Sequence, residues 1–83
     1  MKLLENITFY KDRNFKQEFG LKYSIEIIND KARAINPYGG VFGMKEKSRL
    51  NKLHWLGKGS TDYYYTLIVE GVRVFFKSNN TIF

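Results

Sequence analysis

Apolar and polar positions alternate along much of this chain, and the alternation predicts strands more often than helices. Residues 7–11 (Ile-Thr-Phe-Tyr-Lys) step between apolar and polar or amphipathic side chains, the period of a short strand. Asp12-Arg13-Asn14 is turn chemistry. Residues 15–19 fit two readings. Asn14 would cap one helical turn closed by Gly20, with Phe15 and Phe19 stacked at i, i+4, or the same residues would form a strand with both rings inward. Residues 21–28 are clearer: Leu21, Tyr23, Ile25 and Ile27 share one face, and Lys22, Ser24 and Glu26 the other. Asn29-Asp30 tolerates the positive φ of a two-residue hairpin turn. That turn pairs Ile28 with Lys31, Glu26 with Arg33 and Ile25 with Ala34, so opposite charges meet outside and apolar groups inside. Asn36-Pro37-Tyr38-Gly39-Gly40 ends the hairpin, because proline cannot donate to a ladder.

Residues 41–56 form the one stretch with a helical period. Phe42, Leu50 and Leu53 fall in one sector at 3.6 residues per turn, and Gly57 stands where a helix would end. Gly43 weakens the first turn, so the expected helix runs from about Met44 to Leu56. Gly57-Lys58-Gly59-Ser60-Thr61 reads as a connector, since the glycine-lysine spacing of a phosphate-binding loop is absent. Residues 63–69 and 72–78 then predict a second hairpin about Glu70-Gly71. Its inner pairs are Val69 with Val72, Leu67 with Val74 and Tyr65 with Phe76; its outer pairs are Ile68 with Arg73, Thr66 with Phe75 and Tyr64 with Lys77. The expected fold is therefore α+β: a small antiparallel sheet of two hairpins and an N-terminal strand, with one helix packed on it, in a single domain over residues 1–83.

Composition narrows the chemistry. Eighty-three residues with 43% apolar and one proline are a globular composition with room for one core. No cysteine is present, which removes disulfides, thiolate metal sites and cysteine nucleophiles. The single histidine, His54, makes no metal site alone, and no pair of carboxylates has a spacing suited to acid–base work, so no catalytic residue, metal or cofactor is expected. No run approaches the ~20 apolar residues of a membrane span. The first ten residues lack the apolar core of a secretory signal, which places the expected setting in the cytoplasm.

Charge changes the picture most. The net charge is +6, and between Met44 and Lys58 the cations Lys45, Lys47, Arg49, Lys52 and Lys58 face Glu46 alone. On a helix, Lys45, Arg49 and Lys52 would border the leucine face as a stripe. The outer face of the second hairpin mixes rings with cations, where a solvent-facing strand ordinarily carries more charge and fewer rings. Either a helix covers this face and leaves Arg73 and Lys77 at an edge, or the face meets a ligand that takes both rings and cations. Single-stranded nucleic acid is such a ligand, with bases stacked on rings and phosphates against cations. The first expectation is thus a noncatalytic nucleic-acid-binding protein, RNA above DNA, using Lys45, Lys47, Arg49, Lys52, Lys58, Tyr64, Arg73, Phe75 and Lys77. The alternative is an inhibitor that occludes the active or nucleic-acid site of a larger bacterial enzyme or toxin, with Tyr38 and Trp55 as anchors. A terminal strand reaching Ile82-Phe83 would add an edge able to pair with a second copy.

Two resemblances accompany these readings. The short, cysteine-free chain, rich in lysine and aromatics and with a tail that includes Phe76-Lys77-Ser78-Asn79-Asn80-Thr81, resembles the small accessory proteins of T-even-type phages. Those include inhibitors of host defence systems, among them a toxin inhibitor that acts together with RNA. The likeness implies a binding protein directed at a host protein or ribonucleoprotein in the host cytoplasm. Separately, Leu53-His54-Trp55-Leu56-Gly57, Tyr63-Tyr64-Tyr65 and Gly71-Val72-Arg73-Val74-Phe75 resemble, over about a third of the chain, the C-terminal half of RelE-like toxin ribonucleases. That likeness implies Arg73 as the cation at the cleavage site, with Tyr64 or Lys77 assisting, and two helices upstream where residues 21–36 read as a hairpin.

Overall fold

The computed structural model describes residues 2–35 and 47–79. Among them the chain is all strand: β1 (Lys2–Tyr10), β2 (Glu18–Ile28), β3 (Lys31–Ile35), β4 (Asn51–Lys52), β5 (His54–Lys58), β6 (Tyr63–Val69) and β7 (Val72–Ser78). The strands make one antiparallel sheet in the order β4-β3-β2-β1-β7-β6-β5. Its two edge strands, β4 and β5, are separated in the chain by Leu53 alone. One bent strand thus pairs β3 with its first half and β6 with its second, and the sheet curls into a nearly closed barrel. Asn51 Nδ2 donates to Ile68 O at 2.8 Å and Leu53 N to Asp30 O at 2.9 Å, tying the bend to both sides. The opposite seam is looser, with Tyr10 opposite Phe75 as the register between β1 and β7.

Period-2 alternation fills the interior. Phe9, Tyr23, Ile25, Ile27, Leu53, Tyr65, Leu67, Val69, Val74 and Phe76 are buried in one cluster with Ala32 and Ala34. Phe9 stacks on Tyr23 at 4.8 Å and Tyr65 on Phe76 at 5.4 Å, while Phe9 meets Phe76 edge-on at 6.1 Å. The alanines of β3 stand opposite Ile25 and Ile27, small against large, as the narrow bore of a small barrel requires. Outside, Glu26 is covered and takes Arg33 Nε at 2.9 Å and Lys47 Nζ at 3.6 Å.

Both hairpins have the expected registers, from Ile28 opposite Lys31 to Ile25 opposite Ala34 and from Val69 opposite Val72 to Tyr64 opposite Lys77. Within the second, Val72 is 41% exposed rather than core. The helix and the α+β class are overturned. Residues 51–52 and 54–58 are strands, and Gly57 follows a bulge at φ 133° instead of ending a helix. Lys, Arg and Leu favour helix by propensity, but both β3 and β6 present unpaired backbone to this segment, and completing two ladders outweighs a propensity worth a few tenths of a kcal/mol per residue. The start of that segment, residues 41–46, lies outside the described residues, as do Tyr38, Lys45 and Ile82-Phe83. The first strand is longer than expected, and residues 15–19 divide between a turn carrying Phe15 and a strand carrying Phe19. Among the described residues no helix is long and apolar enough to cross a membrane.

The β6–β7 turn stores strain that can be relieved. Glu70 (φ 49°) and Gly71 (φ 80°) both lie in the left-handed region, the signature of a type I′ hairpin, where asparagine is far better tolerated than glutamate. Glu70→Asn should stabilise the fold by about 0.5 kcal/mol, raising Tm by roughly 2–4 °C, whereas the β-branched Glu70→Val should lower it. Equal melting temperatures for all three proteins would show that Glu70 carries no backbone strain.

Candidate nucleic-acid interface

Residues directly opposite one another in an antiparallel pair point to the same face. His54 lies opposite Thr66, Thr66 opposite Phe75, and Phe75 opposite Tyr10. These side chains form a row across the outside of β5, β6, β7 and β1. Tyr64 and Lys77 flank the row on one side, Ile68 and Arg73 on the other.

The loop of residues 11–17, between β1 and β2, folds onto this row. Lys11 N donates to Gln17 O at 2.8 Å, and the Asp12 carboxylate accepts the backbone N–H groups of Lys16 and Gln17, each at 2.9 Å. These donors, Gln17 foremost, hold the Asp12 carboxyl below its ordinary value near 3.8. The tight loop places Phe15 at φ 57°, a conformation costing a bulky side chain about 1–2 kcal/mol. The ring recovers that cost on its neighbours, lying 5.0 Å from Tyr64, 5.3 Å from Tyr10 and 6.4 Å from Phe75. At roughly 0.5–1.5 kcal/mol each, three such contacts outweigh the strain. Gly59 makes room for Tyr64: a Cβ there would stand 2.5 Å from the phenol oxygen.

Shallow grooves adjoin along β6, each sharing lining residues with the next. A groove of about 350 Å³ is lined by Arg13, Asn14, Phe15, Leu56 and Tyr64. The next, about 250 Å³, shares Arg13 and Leu56 and adds Thr66, Arg73 and Phe75. Arg73 continues into a groove of about 120 Å³ with Asn51, Lys52, His54 and Ile68, and Asn51 and Ile68 into one of about 380 Å³ with Arg49, Glu70 and Gly71. From Tyr64 to Val69 this track follows the strand for about 17 Å and ends at the Glu70-Gly71 turn. Four cations line it, Arg13, Arg49, Lys52 and Arg73, against the single carboxylate Glu70. Lys52 is paired with Asp30 at 3.0 Å, which in turn lowers the Asp30 pKa.

Of the residues singled out in the sequence, Arg49, Lys52, Tyr64, Arg73 and Phe75 therefore meet on one surface, although no helix brings them there. Phe75 is almost covered, at 9% exposure, by Phe15 rather than by a helix. Lys77 stands at the flank, 5.9 Å above the Tyr10 ring, and lines a separate groove with Asn6, Thr8 and Asp62. Lys47 is committed to Glu26, and Lys58 lies 5.4 Å above Tyr63, both off the track. Arg49 and Lys52 lie on no helix and so form no helical stripe, and Lys45 lies outside the described residues. Trp55, 59% exposed, is opposite Tyr65 and so belongs to the other face of β5 from His54. Sequence reasoning missed Arg13, Phe15, His54 and Leu56 as members of this surface. The available signal was Phe15 itself, an aromatic next to turn residues that two regular elements each failed to place. Among the described residues no group of histidine and carboxylate side chains could hold a metal ion.

Because the folded Asp12 carboxyl titrates below its unfolded value, its support of the loop is complete above about pH 3.8 and is lost as pH falls through the depressed value. The Lys16 and Gln17 amide resonances should shift together with the Phe15 ring signals only in that acid window, and Asp12→Ala should reproduce the shifted positions at neutral pH. Amide signals that ignore both changes would mean that the carboxylate does not hold the loop. No family model, curated protein or solved structure matches this chain.

Proposed function

We propose that the chain binds single-stranded nucleic acid, RNA above DNA, along the outer face of β5, β6 and β7, without catalysing a reaction on it. The observation that carries this reading is the Phe15–Tyr10–Tyr64–Phe75 ring cluster set directly beside Arg13 and Arg73. Rings packed on the outside of a barrel give bases a surface to stack on, and cations beside them meet the backbone. Duplexes are poor ligands for such a surface, because their bases are already stacked and their edges face inward; RNA stands first because its recognised segments are usually unpaired loops and ends with splayed bases. A track of this size and charge takes a short segment of strand, about four phosphates for its four cations.

Anisotropy of a labelled oligouridine should report binding whose log K falls with log salt at a slope near −3, about −0.7 for each phosphate neutralised. Phe15→Ala should weaken binding by roughly fivefold to a hundredfold, the worth of one stacked base, without altering that slope. The RNA should be recovered uncut; cleavage abolished by Arg73→Ala would instead support the RelE-like reading. No binding at low salt, or a flat salt response, would overturn the proposal.

Trp55 favours a second reading, in which the protein docks on a host protein, as the likeness to phage accessory proteins implies. An exposed tryptophan is an efficient interface anchor, and it lies on the opposite side of β5 from the cation track. A partner captured from bacterial lysate should then survive nuclease treatment and be lost with Trp55→Ser; a partner released by nuclease returns the assignment to nucleic acid.

A further inference from the structure

Resting on the nucleic-acid reading, we infer that the track has two chemically distinct seats: the groove of Lys52, His54 and Arg73 receives an internal phosphodiester, and the groove of Phe15, Leu56 and Tyr64 receives a base of the same strand.

The two grooves differ in size and in lining. The first, about 120 Å³, offers an imidazole, a guanidinium, an ammonium and an amide, with Ile68 as its single apolar wall and no carboxylate among its lining residues. The second, about 350 Å³, offers two rings and a leucine with Arg13 at its rim. A compact tetrahedral anion fits the first; a flat ring needs the faces of the second. Arg73 is held in place for this role, because its Nη1 donates to Thr66 Oγ1 at 3.4 Å while the Thr66 hydroxyl donates to Val74 O at 2.8 Å. The remaining guanidinium donors keep the planar fork suited to phosphate oxygens. Asn51 fixes the floor through its bond to Ile68 O. Lys52 contributes less than its charge implies, since Asp30 lies 3.0 Å away, and Glu70 belongs to the neighbouring groove with Arg49. The seat shares Arg73 with one adjoining groove and Asn51 and Ile68 with the other, which places it inside the track rather than at its end, the position of an internal phosphodiester. Tyr64 and Ile68 are four residues apart on β6, about 13 Å, which sets the separation of base and phosphate seats.

The test uses the full chain with two labelled probes of equal length, oligouridine and an abasic ribose-phosphate strand. Arg73→Gln should weaken both probes about tenfold and reduce the magnitude of the salt slope by about 0.7, and Arg73→Lys, which keeps the charge, should restore the slope. His54→Ala should weaken both probes alike. Tyr64→Leu should weaken oligouridine alone and leave the slope unchanged. Circular dichroism of each variant separates loss of binding from loss of fold. If the unaltered protein binds neither probe, the nucleic-acid reading itself fails and this inference with it. If it binds both and Arg73→Gln keeps the full slope, or if Tyr64→Leu weakens the abasic strand equally, the binding reading stands and the division into seats is wrong.

Discussion

The structure depends on residues 51–58 serving two partners at once. An isolated sheet of this size would leave two edges, each a row of unpaired backbone donors and acceptors. Here the edge beside β3 and the edge beside β6 are met by the two halves of a single bent strand, with Leu53 turned into the core between them. A small barrel cannot gain enough from its narrow interior alone, so closure contributes ladder hydrogen bonds and a continuous apolar lining together. The Asn51 side chain, reaching from the β3 ladder to Ile68 O of β6, and the Leu53 amide, bonded to Asp30 O between the two ladders, hold the bend.

Closure also explains the outer surface. With Phe9, Tyr23, Tyr65 and Phe76 filling the bore, the remaining rings of the row have no interior to enter. Tyr10, Tyr64 and Phe75 cluster outside, and the loop after β1 bends back to add Phe15 at the cost of a left-handed backbone. The result is a half-covered aromatic patch whose margin is cationic because β7 alternates rings and bases on that face. Backbone strain in a loop that presents a side chain to such a surface is more costly than an ordinary solvated turn, and it persists because the carboxylate of Asp12 and three rings determine it together.

Much of this was legible in the residues. Both hairpins, their registers and the outward placement of Tyr64, Arg73 and Lys77 follow from period-2 alternation and turn chemistry, which are local. The segment from Arg49 to Leu56 was not legible, because its leucines recur at a spacing that a helix and an interrupted strand can both satisfy. Phe15 was ambiguous for a related reason: its conformation answers to rings distant in sequence, not to its neighbours.

By itself, then, the sequence determined which residues pair across its tight turns, because two-residue connections leave one register, and it determined that a basic chain carries rings on a strand face. The tertiary structure decided that residues 51–58 are strand and not helix, and that Arg13 and Arg49 belong to the same surface as Arg73. Those outcomes depend on unsatisfied edges and ring faces contributed by parts of the chain far apart in sequence, which no local period can encode.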